Sequence, residues 1–541
     1  MVRDSPFAAL IDEFVWQRHR SDPVLATIQG VHEFDGVPTD LSAEGFLARD
    51  ELAERWLSRF EGLDQYSVTV VERTDRGLVL AALRGERVLR PFAAWRKRPS
   101  LYADSVVRAA YYGALRDELP LEERLALVVR RLARAPEAFA AARANLEPAE
   151  VPALWLDIAL RSAPGGSAFL RGPLVAQAPA GTALARDLAA AALVAADALD
   201  GYAGWLRETV APRAAGAFAI GREVFDGLLR ERELVAHDAD TLETFGAELV
   251  RETEAALVEA ARALGDEDWR ESVARLRRDH PAADELVAAY RGELERAREA
   301  AALCGVASIP AGEDLVVEAT PAFATPTYPY AAYVGPAPFG ASRRGRFWVT
   351  LPEPEDSTEL ARERLEGHPR AGLAVIACHE GYPGHHLQQS VAADHRSSAR
   401  KAFRSNVFIE GWGLYVEELM TELGFLGAPE TRLLRLKDLL WRAARIHVDV
   451  GLATGSLSAE QAVEHLVLVP RLERPNALAE VRRYTLDPLQ PSSYALGRAA
   501  ILKLRDEARS RGWGMREFHD RLLATGSLPP RLVAAELGLG G

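Results

Sequence analysis

Apolar residues recur every three or four positions over long stretches of this chain, and that period commits most of it to helix. The pattern is plain in Thr241–Leu264, Ala283–Leu303 and Thr431–Val450, where Ala, Leu and other strong helix formers are abundant. A helix with one apolar face needs a partner for it, so a mainly α, multi-helix fold follows. Further helices are expected over about Asn406–Leu423, Ala459–Leu468, Asn476–Tyr484 and Ser493–Arg509. No internal repeat of about 20 to 50 residues is visible, which disfavours a regular solenoid.

The texture changes once. Leu315–Ala319 has strand character, a Pro- and Tyr-rich loop follows from Thr320 to Phe339, and Gly345–Leu351 is aromatic, β-branched and bounded by Gly and Pro. Helix resumes after Ser357, a residue suited to an N-cap. At 541 residues the chain exceeds what one hydrophobic core usually serves. It is therefore divided at this change into a helical lobe, 1–311, and a lobe with the candidate metal site, 312–541, the two forming one cleft. Within the first lobe, Pro99–Ser100, Pro164–Gly166 and Pro179–Gly181 are expected to punctuate successive helices.

The net charge of −13 argues against nucleic acid as a main partner. Two cysteines exclude a disulfide framework, and Cys378 is expected as a small buried residue. The longest apolar stretch, Leu188–Ala196, is too short to span a membrane. The start Met1–Pro6 lacks the apolar run of a signal peptide, so a soluble, cytoplasmic protein is the expectation. The oligomeric state is left open.

Five of the 12 histidines fall between His368 and His395. His379 and Glu380 follow the apolar run Leu373–Ala377, which places an ionisable pair at the inner end of a buried helix. Such a pair is costly unless it is partnered or bound to metal. The common zinc-peptidase pattern sets two His four residues apart on one helix face, with Glu after the first. Here His385 lies six residues on, about 120° off that face, and His386 lies seven on, about 10 Å along the axis. Neither suits an undistorted helix. Pro383 cannot donate to the His379 carbonyl, and Gly384 adds freedom, so a bulge or kink at Tyr382–Gly384 is expected to bring a second His back.

Glu410, an acid in the apolar and aromatic window Phe408–Tyr415, is the candidate third ligand. Two His and one carboxylate leave a coordination position open, as in catalytic zinc, and Glu380 is then placed to act as general base. The same ligands also suit Fe(II), although Glu380 would then have no evident task. A non-catalytic helical binding scaffold is the third alternative.

His379–Gln388, Glu410–Tyr415 and the C-terminal Arg483–Tyr484 … Pro488 … Tyr494–Arg498 resemble the bacterial "domain of unknown function 885" family. That family looks like a distant branch of the zincin metallopeptidases with a Glu third ligand. The resemblance implies a zincin-like helical fold with a deep cleft and a small β-sheet beside the metal-binding helix. It implies zinc on His379, His385 and Glu410, with His386 behind them, and a short peptide or peptide-like substrate. Arg346–Leu351 is expected as an edge strand to which a peptide adds. Tyr494 is the first candidate for an oxyanion donor, with Arg498 one turn later as a second donor or a holder of a substrate carboxylate. Tyr328, Tyr330 and Tyr333 are candidates for the cleft wall, and Arg445 and Asp449 for contacts behind the site.

Overall fold

The expected helices are present at nearly the expected bounds. The structure, a computed structural model, describes residues 5–64, 69–325, 328 and 330–540. Helices run over Ala239–Ala263, Leu286–Leu303, Asn406–Glu422, Pro429–Thr454, Ala459–Leu468, Arg474–Leu486 and Gln490–Ser510. Ser357 caps the helix Thr358–Glu366 through its Oγ, which accepts from the Leu360 N–H at 3.2 Å. Residues 1–4 of the N-terminal segment and residues 326, 327 and 329 of the Pro- and Tyr-rich loop lie outside the described residues.

Pro164–Gly166 does not punctuate. It sits inside one helix, Ala153–Phe169. The glycines serve close packing instead. A Cβ at Gly165 would stand 2.8 Å from the Ala322 carbonyl oxygen, and one at Gly166 would stand 3.0 Å from a Val107 methyl.

Three strands form one small sheet: β1 (Asp314–Ala319), β2 (Ala331–Val334) and β3 (Arg344–Val349), in the order β1-β3-β2. β1 runs parallel to β3 and β2 runs antiparallel to it. β2 arises from the loop that sequence left irregular, and this changes the role of β3. The expected edge strand is central, with a ladder on either side, so its backbone has no free edge to offer. β2 holds that position. Phe347 and Val349 pack with Leu373 and Ala377, which sets the sheet beside the helix that carries His379.

The buried residues of one apolar cluster all lie within the first lobe, from Leu41 to Val210, with Phe323 of the second packed against them. Others cross the boundary at 311. Phe14, Trp56 and Leu83 share a core with Val375, Phe408 and Phe518. Phe225 and Leu242 share another with Val407 and Ile446. Each fully buried large apolar side chain contributes about 1.5–3 kcal/mol, so the two portions stabilise each other. The boundary marks a change of texture, not a break in packing. No helix among the described residues is long and apolar enough to cross a membrane.

Candidate metal centre

The helix Arg370–Glu380 buries Leu373, Val375, Ala377 and Cys378 on its way to His379. Cys378 is fully buried, as expected, and burial pushes its thiol well above the usual range. The helix then stops. Tyr382–Pro383 is a cis peptide bond, and a new helix, His385–Ala393, starts after Gly384. The expected kink is therefore a full break between two helices. A Cβ at Gly384 would stand 1.9 Å from the His379 carbonyl oxygen, so only glycine lets the chain double back this closely. The result is a pair of imidazoles, His379 and His385, with ring centres 4.6 Å apart and nearly perpendicular.

The helix Asn406–Glu422 crosses beneath them, and each residue of Glu410–Gly413 has a task there. Glu410 points its Oε2 at the imidazoles, 3.2 Å from His385 Nε2 and 3.8 Å from His379 Nε2. Gly411 lets the helix Gln490–Ser510 cross at backbone contact: a Cβ on Gly411 would stand 2.3 Å from the Gly497 Cα. Trp412 donates from Nε1 to the Pro383 carbonyl at 2.8 Å and pins the turn between the two His-bearing helices. Gly413 leaves room for the His379 ring, whose Cε1 and Nε2 lie 2.7 and 2.8 Å from where a Cβ would be.

A second layer orients these groups. His379 donates from Nδ1 to Glu417 Oε1 at 2.8 Å, and Glu417 is fully buried. Gln490 donates from Nε2 to Glu410 Oε1 at 2.9 Å and accepts on Oε1 from Arg483 at 2.7 Å. Glu410 Oε1 is thus fixed, whereas Oε2 is buried without a hydrogen-bond partner. His385 Nδ1 is likewise buried and unpartnered. Burial works against charge on His379, but the carboxylates of Glu410 and Glu417 outweigh it and raise its pKa to about 9. Burial also opposes ionised Glu410, and the two imidazoles outweigh it, holding the carboxyl well below its usual range. The imidazole proton and the ionised carboxylate thus stabilise each other, and a cation binding here would have to displace that proton.

His379, Glu380 and His385 bring ligand atoms within 4.8 Å of one another. That spacing alone would admit Glu380 as a ligand. Glu410 Oε2, 3.8 and 3.2 Å from the two Nε2 atoms, is the second carboxylate within reach. His386 is occupied elsewhere. It donates from Nε2 to Glu313 Oε2 at 2.8 Å, and its Nδ1 accepts from the Tyr333 hydroxyl at 3.0 Å. Glu313 also accepts from Tyr382 and Arg298; together these bonds outweigh burial and hold its carboxyl at about 2.

His379, Glu380, His385, Glu410 and Tyr494 all line one cavity of about 960 Å³, and Tyr328, Tyr330 and Tyr333 face it as well. The Tyr494 ring stacks on His379 with centres 6.0 Å apart, and burial raises its hydroxyl above the usual phenol range, so it remains a donor. Arg498 does not join them. It pairs with Glu418 at 2.6 Å and is not part of the cavity wall. Glu418 lies eight residues beyond Glu410, about 12 Å along the helix, and its charge draws the guanidinium away from the site. Asp449 does not line the cavity either: it accepts from the Leu489 and Ser492 N–H groups and the Ser492 hydroxyl, and so fixes the first turn of the helix bearing Gln490 and Tyr494.

Sequence reasoning missed Glu417, Gln490 and Glu313. Glu417 had a signal, since seven residues after Glu410 return to nearly the same helix face. Gln490 and Glu313 had none, because each meets the site only through tertiary packing.

A family model for a bacterial protein of unknown function, domain of unknown function 885, matches residues 23–537. The chain belongs to this family. No curated protein matches it. Among solved structures, one described as a lipoprotein of unknown function from Shewanella oneidensis is 22% identical, with a TM-score of 0.79 over 99% of this chain and 100% of its own. Another, described as a lipoprotein from Colwellia psychrerythraea, is 18% identical, with a TM-score of 0.79 over 98% of each chain. At such identities the likeness is one of fold, and it extends over essentially the whole family domain.

Proposed function

We propose that the chain is a zinc-dependent hydrolase of zincin type, cleaving short peptides or peptide-like amides. The observation that carries this reading is the buried, unpartnered Glu410 Oε2, 3.2 and 3.8 Å from the Nε2 atoms of His385 and His379. Tetrahedral zinc with bonds of about 2.0–2.1 Å separates its ligand atoms by about 3.3–3.4 Å, and the two Glu410 contacts lie on either side of that spacing. A bound zinc supplies Lewis acidity that lowers the pKa of a coordinated water towards ~7.

The chain's own groups do the rest. A carboxylate oxygen of Glu380 accepts the proton of the attacking water and returns it to the leaving amine nitrogen. Tyr494, protonated and in the cavity wall, donates to the oxygen of the former carbonyl. The outer edge of β2, whose residues Ala331–Val334 face the cavity, offers backbone groups to an extended peptide. Glu380 beside the ligands favours hydrolysis over Fe(II) oxygen chemistry, which leaves it idle.

Hydrolysis of a short-peptide mixture by the zinc-loaded chain, read by mass spectrometry, tests the proposal. Cleavage by the wild type and a loss of at least about 100-fold in Glu380→Gln are expected, in line with the usual 10²–10⁴-fold worth of a general base. Cleavage undiminished in Glu380→Gln would overturn it.

A further inference from the structure

We infer that Arg445 holds a carboxylate of the substrate, so that the cavity selects peptides presenting a carboxylate within a few residues of the bond cleaved. This names the substrate class of the hydrolase proposed above and rests on that reading. Arg445 lies on the helix Pro429–Thr454, is 3% exposed, and forms part of the cavity wall. Its guanidinium is held over Trp441 at 4.0 Å and over Tyr494 at 4.6 Å. One nitrogen donates to Glu480 at 3.1 Å; Nε and NH1 are buried with no hydrogen-bond partner. An Arg with two unspent donors, fixed between aromatic rings, is preorganised for a planar carboxylate.

Its surroundings are short of negative charge. Glu480 is shared with Arg483, which donates to it at 2.8 Å. Asp438 is shared between Lys437 at 3.3 Å and Arg442 at 3.5 Å. Glu417 lies 4.0 Å from Arg442 but is already bonded to His379. Four cations thus share two acids along this wall, and the Arg442 Nε is also buried without a partner. Around the whole cavity eleven Arg and Lys side chains face eight Asp and Glu, two of which are Glu380 and Glu410. That balance is opposite in sign to the −13 of the chain. Buried cations in such excess are costly unless an anion completes the set, and a cavity walled by one sign of charge concentrates ligands of the other.

The location fits the reaction. The Tyr494 ring stacks on His379 with centres 6.0 Å apart and has the Arg445 guanidinium over it at 4.6 Å, so one aromatic ring touches both the imidazole and the guanidinium. About two or three residues of extended chain cover such a separation. The carboxylate comes from a peptide's C-terminus or from an Asp or Glu side chain, and the two sources separate by experiment.

Calorimetry on the full chain, stripped of metal so that nothing is turned over, compares three probes. They are an N-acetylated neutral tripeptide as the free acid, the same tripeptide as the amide, and an N-acetylated tripeptide amide containing one Glu. The free acid is expected to bind at least tenfold more tightly than the neutral amide, and Arg445→Gln is expected to abolish the difference. Tight binding of the Glu-containing amide instead assigns the carboxylate to a side chain. Equal binding of all three probes by the wild type, or a preference that survives in Arg445→Gln, would overturn the inference. If Arg445→Gln does not fold, Arg445→Lys is read in its place and is expected to lose most of the preference with the fork. Zinc content measured after part of the same wild-type preparation is reloaded with zinc and desalted reports separately on the metal reading, which fails alone if the chain discriminates acid from amide yet retains no zinc.

Discussion

Glu417 accepts from His379 Nδ1 at 2.8 Å, out of contact with solvent and seven residues along the helix from Glu410. The bond fixes which imidazole nitrogen carries the proton and turns Nε2 towards Glu410 and His385. One helix therefore supplies both a carboxylate that faces the two imidazoles and the support of one of them. Glu417→Gln is expected to weaken zinc binding by about 10–100-fold without unfolding the chain. Competition with a chromophoric chelator measures the first and a thermal melt the second. Unchanged affinity would remove Glu417 from the account.

Gly413 lies against the face of the His379 ring. Gly413→Ala would place a methyl 2.7–3.0 Å from three ring atoms. The imidazole is held by Glu417 on its far nitrogen and has little room to retreat. A destabilisation of about 1–3 kcal/mol is expected, with a loss of zinc affinity larger than in Glu417→Gln. Urea unfolding and metal titration on the same sample check both.

Much of this site is legible in the sequence. The apolar run ahead of His379 announced a buried helix, and Pro383–Gly384 announced its interruption. Glu410 stood out as an acid among aromatics. The residues say less where two elements far apart in sequence meet. Tyr494 and Arg498 share a helical face by spacing, yet Gly497 packs on Gly411 and Glu418 captures Arg498. Likewise β3 has the composition of a strand, but whether it lies at the edge depends on β2, whose residues Ala331–Val334 carry a weak signal inside a Pro-rich loop. Periodicity reports which face of an element is buried, and it does not report the neighbour.

His385 and His386 are adjacent in sequence but differ in role. His385→Ala is expected to abolish zinc binding while lowering the stability of the metal-free chain only modestly. His386→Ala is expected to leave zinc affinity within a few-fold. It strands buried partners on Glu313 and Tyr333, at a cost of about 1–3 kcal/mol. Denaturant melts without metal, paired with zinc titrations, separate the two. The reverse pattern would assign the ligand to His386.

Asp449 introduces a pH dependence outside the cavity wall. Burial raises its carboxyl to about 7 in spite of three hydrogen bonds. The native state therefore keeps a proton that the unfolded chain releases near pH 4. Stability is fully present below that pH, declines by at most about 1.4 kcal/mol per unit as pH rises towards 7, and is level above it. Asp449→Asn cannot titrate. The unfolding free energy of the wild type minus that of the variant should fall from pH 4.5 to pH 7 by denaturant titration. A constant difference would contradict this assignment.

On the proposed reading, His379, His385 and Glu410 grip one ion while Glu380 does not. Elemental mass spectrometry on the chain after zinc loading and desalting tests it directly. One zinc per chain is expected in the wild type and in Glu380→Gln, and none in His379→Ala, His385→Ala or Glu410→Ala. A wild type that retains no zinc, or retention unaffected by all three alanine substitutions, would contradict it.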